Sequence, residues 1–193
     1  MNDREVGRMP AAIRAIARDT REIGFTMSSE PQAGALLRTL AASKPGGRFL
    51  ELGTGTGFGT AWLLDGMDAL SQLDSVDSDP KALAVARRHL GSDPRVRLHL
   101  GDGAVFLAAQ APSRFDLIFA DAWPGKFTHL DLALSGLRPG GIYLVDDLLP
   151  QPNWPDGHAP NVSALIADLE SRTGFLFAKL AWTSGLMLLV RSS

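Results

Sequence analysis

Four glycines at alternate positions, Gly53, Gly55, Gly57 and Gly59, follow directly on the apolar run from Phe49 to Leu52. A run that short, bounded by a turn signal, reads as a buried strand. The glycines after it make a turn in which no Cβ keeps a ligand away from the backbone. Thr60 to Leu64 read as the first turn of a helix. A buried strand, a glycine turn and a helix N-terminus commit a chain to an α/β sheet with a ligand at the strand's carboxyl end. One residue in the strand stands out: Glu51, an acid two positions before the turn.

The rest of the chain repeats the alternation. Strands are expected at 48–52, 73–77, 95–100, 115–120 and 141–146, and helices at 59–70, 80–90, 103–110 and 128–136. Asp79-Pro80 is a helix start and Arg138-Pro139-Gly140-Gly141 a helix stop. Ahead of the first strand, Ile13, Ile16, Ala17 and Ile23 are spaced for an amphipathic helix over 10–23. A second helix runs from Glu30 to about Ala42, with Ser28 or Ser29 as its cap and Pro31 in its first turn. Residues 148–160 carry four prolines and form a loop before a helix at 161–172. Two strands, at 175–182 and 186–191, flank Thr183-Ser184-Gly185 with hairpin spacing. The fold class is α/β: a Rossmann-like, seven-stranded, mostly parallel sheet with helices on both faces, a C-terminal antiparallel hairpin and N-terminal helices. The 193 residues suit one domain, with 1–44 as a helical cap and 45–193 as the cofactor-binding core.

Composition narrows the chemistry. The chain has no cysteine, which excludes disulfides, thiolate metal sites and thiol nucleophiles. A net charge of −2 gives no footprint for a large nucleic-acid surface. The cluster Arg87, Arg88, Arg95 and Arg97 reads as a solvated helix face and strand edge. With no apolar run of membrane-spanning length and no leader-like N-terminus, a cytoplasmic location without membrane contact is expected.

Ligands of an open parallel sheet bind beyond the strands' carboxyl ends. Here those ends deliver Asp77 and Asp79, then Asp102, Asp121, Asp146 and Asp147, beside Glu51 and the glycine turn. A dinucleotide is one candidate, because Asp77 stands about 20 residues after the glycines. Position 58 is Phe, however, where the dinucleotide fingerprint needs its third glycine.

Glu51-Leu52-Gly53-Thr54-Gly55-Thr56-Gly57, with an acid ending the second strand, resembles the class I S-adenosylmethionine-dependent methyltransferases. The resemblance covers roughly residues 25–191. It implies that Asp77, with Ser78 beside it, holds the ribose hydroxyls, and that the turn Gly53, Thr54, Gly55 and Gly57 faces the amino-acid part of the cofactor. It further implies that Glu51 stabilises the cofactor's ammonium, directly or through water, and that Asp102, Gly103 and Ala104 meet adenine.

Three further segments are similar to the catechol and caffeoyl-CoA O-methyltransferases: Met27 to Gly34, Ser75-Val76-Asp77-Ser78-Asp79-Pro80, and the split set Asp121 with Asp146-Asp147. By that resemblance, Met27 to Gly34 closes over cofactor and substrate, which makes Ser29 a candidate contact. Asp121, Asp146 and Asp147 become candidate ligands of a divalent ion, usually Mg2+. An ion there would acidify and orient a bound hydroxyl. The chain departs from the pattern twice. Asp147 stands where the family usually has Asn, and Pro124 stands where it often has a general-base lysine. Lys126, two residues on, is the replacement candidate, with Asp121 as its catalytic partner and His129 as another candidate base. Trp123, Phe127 and Trp154 suit walls for a flat acceptor, and Trp123 also falls among the candidate cofactor contacts. His158 reads as an exposed loop residue.

The expected activity is methyl transfer to the hydroxyl of a small molecule, with or without metal. A non-catalytic S-adenosylmethionine-binding module and a methyltransferase for an RNA nucleoside hydroxyl are the alternatives. The amphipathic N-terminal helices are compatible with a homodimer.

Overall fold

The computed structural model describes residue 2 and residues 5–192. Its elements in chain order are α1 (Ile13–Glu22), α2 (Pro31–Ala42), β1 (Arg48–Leu52), α3 (Phe58–Gly66), β2 (Gln72–Asp77), α4 (Pro80–Leu90), β3 (Val96–Leu100), α5 (Gly103–Ala108), β4 (Phe115–Ala120), α6 (Leu130–Gly136), β5 (Leu137–Val145), α7 (His158–Ser171), β6 (Phe175–Leu180) and β7 (Leu186–Arg191). The strands form one sheet in the order β3-β2-β1-β4-β5-β7-β6. Only β7 runs against its neighbours, between β5 and β6. The order reverses direction between β1 and β4, the two central strands, which opens a crevice at their carboxyl ends.

Alternate side chains of the central strands enter two different cores. Phe49, Leu73, Leu117, Phe119 and Leu144 pack under α1 to α4, together with Ile16, Leu37, Trp62 and Leu63. Leu50, Leu52, Val76, Ile118, Ala120, Tyr143 and Val145 pack under α6 and α7, with Leu134, Leu165 and Leu169. Both faces of the parallel strands are thus covered, which is why their sequences are nearly continuous apolar runs.

The N-terminal helices are tied to the parts of the sheet that matter for a ligand. The Thr20 hydroxyl of α1 donates to the Ile16 carbonyl and lies 2.8 Å, hydrogen-bond distance, from the Thr56 hydroxyl in the glycine turn. Asp19, 2% exposed, pairs with Arg88 and His89 of α4. At the other end of α4, Asp79 accepts from the amides of Lys81 and Ala82, with Pro80 in the first turn. Such a cap contributes about 1 kcal/mol and fixes the chain just after Asp77.

Of the boundaries that differ from the sequence reading, four bear most on the site. Helix α2 starts at Pro31 after Glu30, and no side chain caps it, so neither Ser28 nor Ser29 fills that role. Strand β5 begins at Leu137, directly after α6: Leu137 pairs with Phe115, and a register shift then carries Pro139 and Gly140 past the ladder. Helix α7 begins at His158, three residues early, because Gly157 ends the loop with φ 79°. Pro160 sits inside the first helical turn, where an amide hydrogen has no intrahelical partner to lose. Helix α3 ends at Gly66, short of residue 70. Among the described residues, no helix is long and apolar enough to cross a membrane.

Candidate active site

Backbone hydrogen bonds line the strand ends up on one rim. The Gly53 amide donates to Val76, the Gly101 amide to Asp77, the Asp121 amide to Leu52 and the Asp146 amide to Ala120. The residue after each strand therefore begins its loop at the same level as the strand beside it.

The glycine turn and Asp77 form one unit. The Gly55 amide donates to Asp77 Oδ2 at 2.6 Å, and the Asp79 amide to Oδ1 at 2.8 Å. Gly53 has φ 101°, and a Cβ there would lie 2.6 Å from the Asp121 carbonyl oxygen. Only glycine allows the β1 and β4 loops to meet so closely. A cavity of about 230 Å³ opens beside this contact, lined by Gly53, Asp77, Ser78, Gly101, Asp102, Gly103, Ala122 and Pro124. The Asp102 carboxylate accepts from the Ala104 amide, so it caps α5 as well as lining the cavity.

Three expected cofactor contacts sit elsewhere. Thr54 is buried, and its hydroxyl pairs with Ser75 at 2.6 Å, pointing inward. Gly57 caps α3 and packs against Leu90 and Ala86 of α4. Glu51 is fully buried beneath the turn, where Ser75 and Thr60 both donate to Oε2 while Oε1 has no partner. Burial pushes its carboxyl up to about 7, against the two hydroxyls and with the repulsion of Asp77. Glu51 thus reaches the turn only through the relay Ser75–Thr54.

A second cavity, of about 340 Å³, shares Ala122 with the first. Its walls come from Thr26 to Glu30, from the loop after β4, and from the segment 151–158. Ser29 donates to Asp121 Oδ2 at 3.3 Å. Burial and the neighbouring Asp146 raise the Asp121 carboxyl well above the carboxylate range, while the charge of Lys126 opposes that rise. Lys126, 4% exposed, lines the same cavity, and burial lowers its ammonium against the pull of the acids. The surface position otherwise expected of a loop lysine is therefore not what the fold delivers.

A tight turn holds Lys126 there. Gly125 has φ 85°, and its Cβ position lies 2.3 Å from a Leu52 methyl. Its carbonyl accepts from the buried Tyr143 hydroxyl at 2.6 Å, and its amide donates to Thr128. His129, in contrast, is exposed with φ 57°, away from the cavity lining.

The three acids expected as metal ligands do not assemble. Among the described residues, no three of His, Cys, Asp and Glu come together to hold an ion. Asp146 is taken by the Ser184 hydroxyl and the Asp147 amide. Asp147, at φ 63°, gives Oδ1 to the Trp154 indole at 2.7 Å. As placed, Asp121, Asp146 and Asp147 line one cavity but do not form a magnesium centre.

His158 corrects the sequence reading most sharply. It is 6% exposed and lies against Trp123, Phe127 and Trp154, with ring centroids 5.9, 5.1 and 4.7 Å away. Gly157, which can serve as an N-cap, hinted at a helix start at His158, but no local signal announced its burial. Ser184, in the hairpin turn, was also missed; it reaches Asp146 through tertiary packing that no local pattern announces.

A crevice over the sheet's reversal point, with a glycine turn and Asp77 at its rim and a second cavity beside it, is where an α/β sheet of this order places a ligand. Residues 50–148 match the methyltransferase domain family, and the chain belongs to it. A protein of Mycobacterium ulcerans described as "Putative O-methyltransferase" is 37% identical over 122 residues, 60% of this chain and 54% of that one. A protein of the same description from Mycolicibacterium vanbaalenii is 36% identical over 140 residues, 69% of this chain and 62% of the other. The chain thus spans between half and two thirds of the length of these relatives. The O-methyltransferase TomG from Streptomyces achromogenes, solved with S-adenosylmethionine, superposes with a TM-score of 0.82 at 22% identity, covering 96% of this chain and 92% of that one. An O-methyltransferase from Bacillus cereus, solved with S-adenosylhomocysteine, gives 0.83 at 19% identity, covering 96% and 92%.

Proposed function

We propose that this chain is an S-adenosylmethionine-dependent O-methyltransferase for a small hydroxyl compound with a flat, apolar body. The observation that carries the reading is the pair of cavities meeting at Ala122: one is lined by the glycine turn and Asp77, the other by a buried lysine and aromatic walls. The donor fits the first. Asp77 keeps unused acceptor capacity beside the cavity, Gly53 leaves the backbone open, and two solved proteins of the same fold hold S-adenosylmethionine or S-adenosylhomocysteine.

S-adenosylmethionine supplies a methyl group on a sulfonium, open to in-line attack by oxygen. The residues of this chain position that attack. Trp123, Phe127 and Trp154 hold the acceptor's body, and Ser29 with Asp121 closes the cavity from the N-terminal side. Lys126 takes the acceptor's proton, a role suited to an amine whose proton is loosened by burial. The new C–O bond forms as the C–S bond breaks, and S-adenosylhomocysteine leaves. We assign no step to a divalent ion.

The placement of Lys126 in the cavity favours an enzyme over a non-catalytic binding module. The test is a labelled-methyl screen of phenols, dihydroxybenzenes and CoA esters, alongside calorimetry with S-adenosylhomocysteine. Transfer to a phenolic oxygen that falls at least a hundredfold in Asp121→Ala is expected. Absence of S-adenosylhomocysteine binding at millimolar concentration would refute the reading.

A further inference from the structure

We infer that His158 reads a second hydrogen-bond donor on the acceptor, a hydroxyl or N–H group apart from the oxygen that is methylated. This rests on the methyltransferase reading above. His158 lines the acceptor cavity, yet both of its ring nitrogens are buried and have no hydrogen-bond partner. A buried imidazole without a partner is costly, and the proton-transfer role of Lys126 makes no use of it.

Its surroundings define what it can accept. Three aromatic rings contact it and offer no hydrogen-bond acceptor for a ring N–H. The Asp147 side chain is close by, with Oδ2 4.0 Å from Nε2. The other oxygen of Asp147 is anchored to the Trp154 indole, so the carboxylate is held facing His158. The tautomer we infer carries its proton on Nε2, on the side of Oδ2, and presents Nδ1 as a lone pair to the acceptor. A lone pair selects donors: it accepts from O–H or N–H and rejects an ether oxygen or a carbonyl. Trp154 sits on the loop between β5 and α7, and Trp123 is 51% exposed. An acceptor that enters between these two indoles meets the imidazole at the inner wall.

The test uses 1,2-, 1,3- and 1,4-dihydroxybenzene against the matching methoxyphenols, all with EDTA present so that chelation cannot set the preference. Wild-type protein is expected to favour at least one dihydroxybenzene over its methoxyphenol by about tenfold or more in kcat/KM. In His158→Leu that ratio falls to near one. In His158→Asn, whose side-chain carbonyl can stand in for Nδ1, part of the ratio returns. Calorimetry on protein saturated with S-adenosylhomocysteine should show the same ordering in binding. A wild-type ratio near one overturns the proposal, as does an unchanged ratio in His158→Leu. Dihydroxybenzenes that neither bind nor react with the S-adenosylhomocysteine complex overturn it too. Failure to bind S-adenosylhomocysteine at all would instead sink the methyltransferase reading.

Discussion

Glu51 makes the stability of the fold depend on pH in a direction opposite to most carboxylates. Its ordinary value is 4.5, and burial raises it to about 7 in the folded state. Between those values the unfolded chain loses the proton and the folded chain keeps it. Stability must therefore fall as pH rises from about 4.5 and level off above about 7. The rise from 4.5 to about 7, at about 1.4 kcal/mol per pH unit, gives roughly 3.5 kcal/mol as an upper bound. That is a large share of the roughly 5–15 kcal/mol that holds a domain together. Glu51→Gln isolates the effect, because an amide can accept the same Ser75 and Thr60 hydroxyls but cannot ionise. The assay is urea unfolding of cofactor-free protein from pH 4.5 to pH 8. Whatever constant offset the amide brings, the variant should gain about 3 kcal/mol on the wild type across that window, or about 1–2 M in urea midpoint. The shifts at Asp19, Asp121 and Lys126 are common to both proteins and cancel. A flat difference would mean that Glu51 ionises without penalty, and the account of a costly buried acid under the glycine turn would be wrong.

Gly53→Ala places a Cβ against the Asp121 carbonyl at a backbone angle that side chains avoid, so calorimetry should show S-adenosylmethionine affinity lowered by at least about tenfold. Tyr143→Phe leaves the buried Gly125 carbonyl without its donor; chemical denaturation should register a loss of about 1–3 kcal/mol, and turnover should drop because the Lys126 turn loosens. A loss under half a kcal/mol would show that the carbonyl finds another partner. Lys126→Met should lower kcat by about a hundredfold or more with little change in cofactor affinity, whereas EDTA should leave wild-type turnover intact. Full inhibition by EDTA would return the chemistry to a metal.

The fold was legible because its signals are local. Period and turn chemistry placed all seven strands, and Asp79-Pro80 marked α4 to the residue. The residues of the first cavity were legible for the same reason: Gly53, Asp77 and Asp102 stand at or just past strand ends, and strand ends fall on one rim. The acceptor side was less so. Thr54 and Glu51 turn inward because of hydrogen bonds to Ser75, a residue on a different strand. Lys126 is buried because Gly125 and Tyr143 fold its loop back, and His158 because a helix starts early beneath three aromatic rings. Asp121, Asp146 and Asp147 share a rim, but Ser184, 38 residues from Asp146, and Trp154, across the proline-rich loop from Asp147, decide where the latter two carboxylates point. Each of these outcomes depends on contacts between segments that no window of sequence contains.

The two cavities draw on different stretches of chain, and this separates what the protein can change from what it must keep. The first is built wholly within residues 50–148, the stretch the family shares. The second takes much of its wall from 26–30, 151–158 and Ser184, all outside that stretch. Substitutions in these outer segments can reshape the second cavity without touching the first or the central strands. Kinship to the family therefore speaks to the first cavity and leaves the second free to vary.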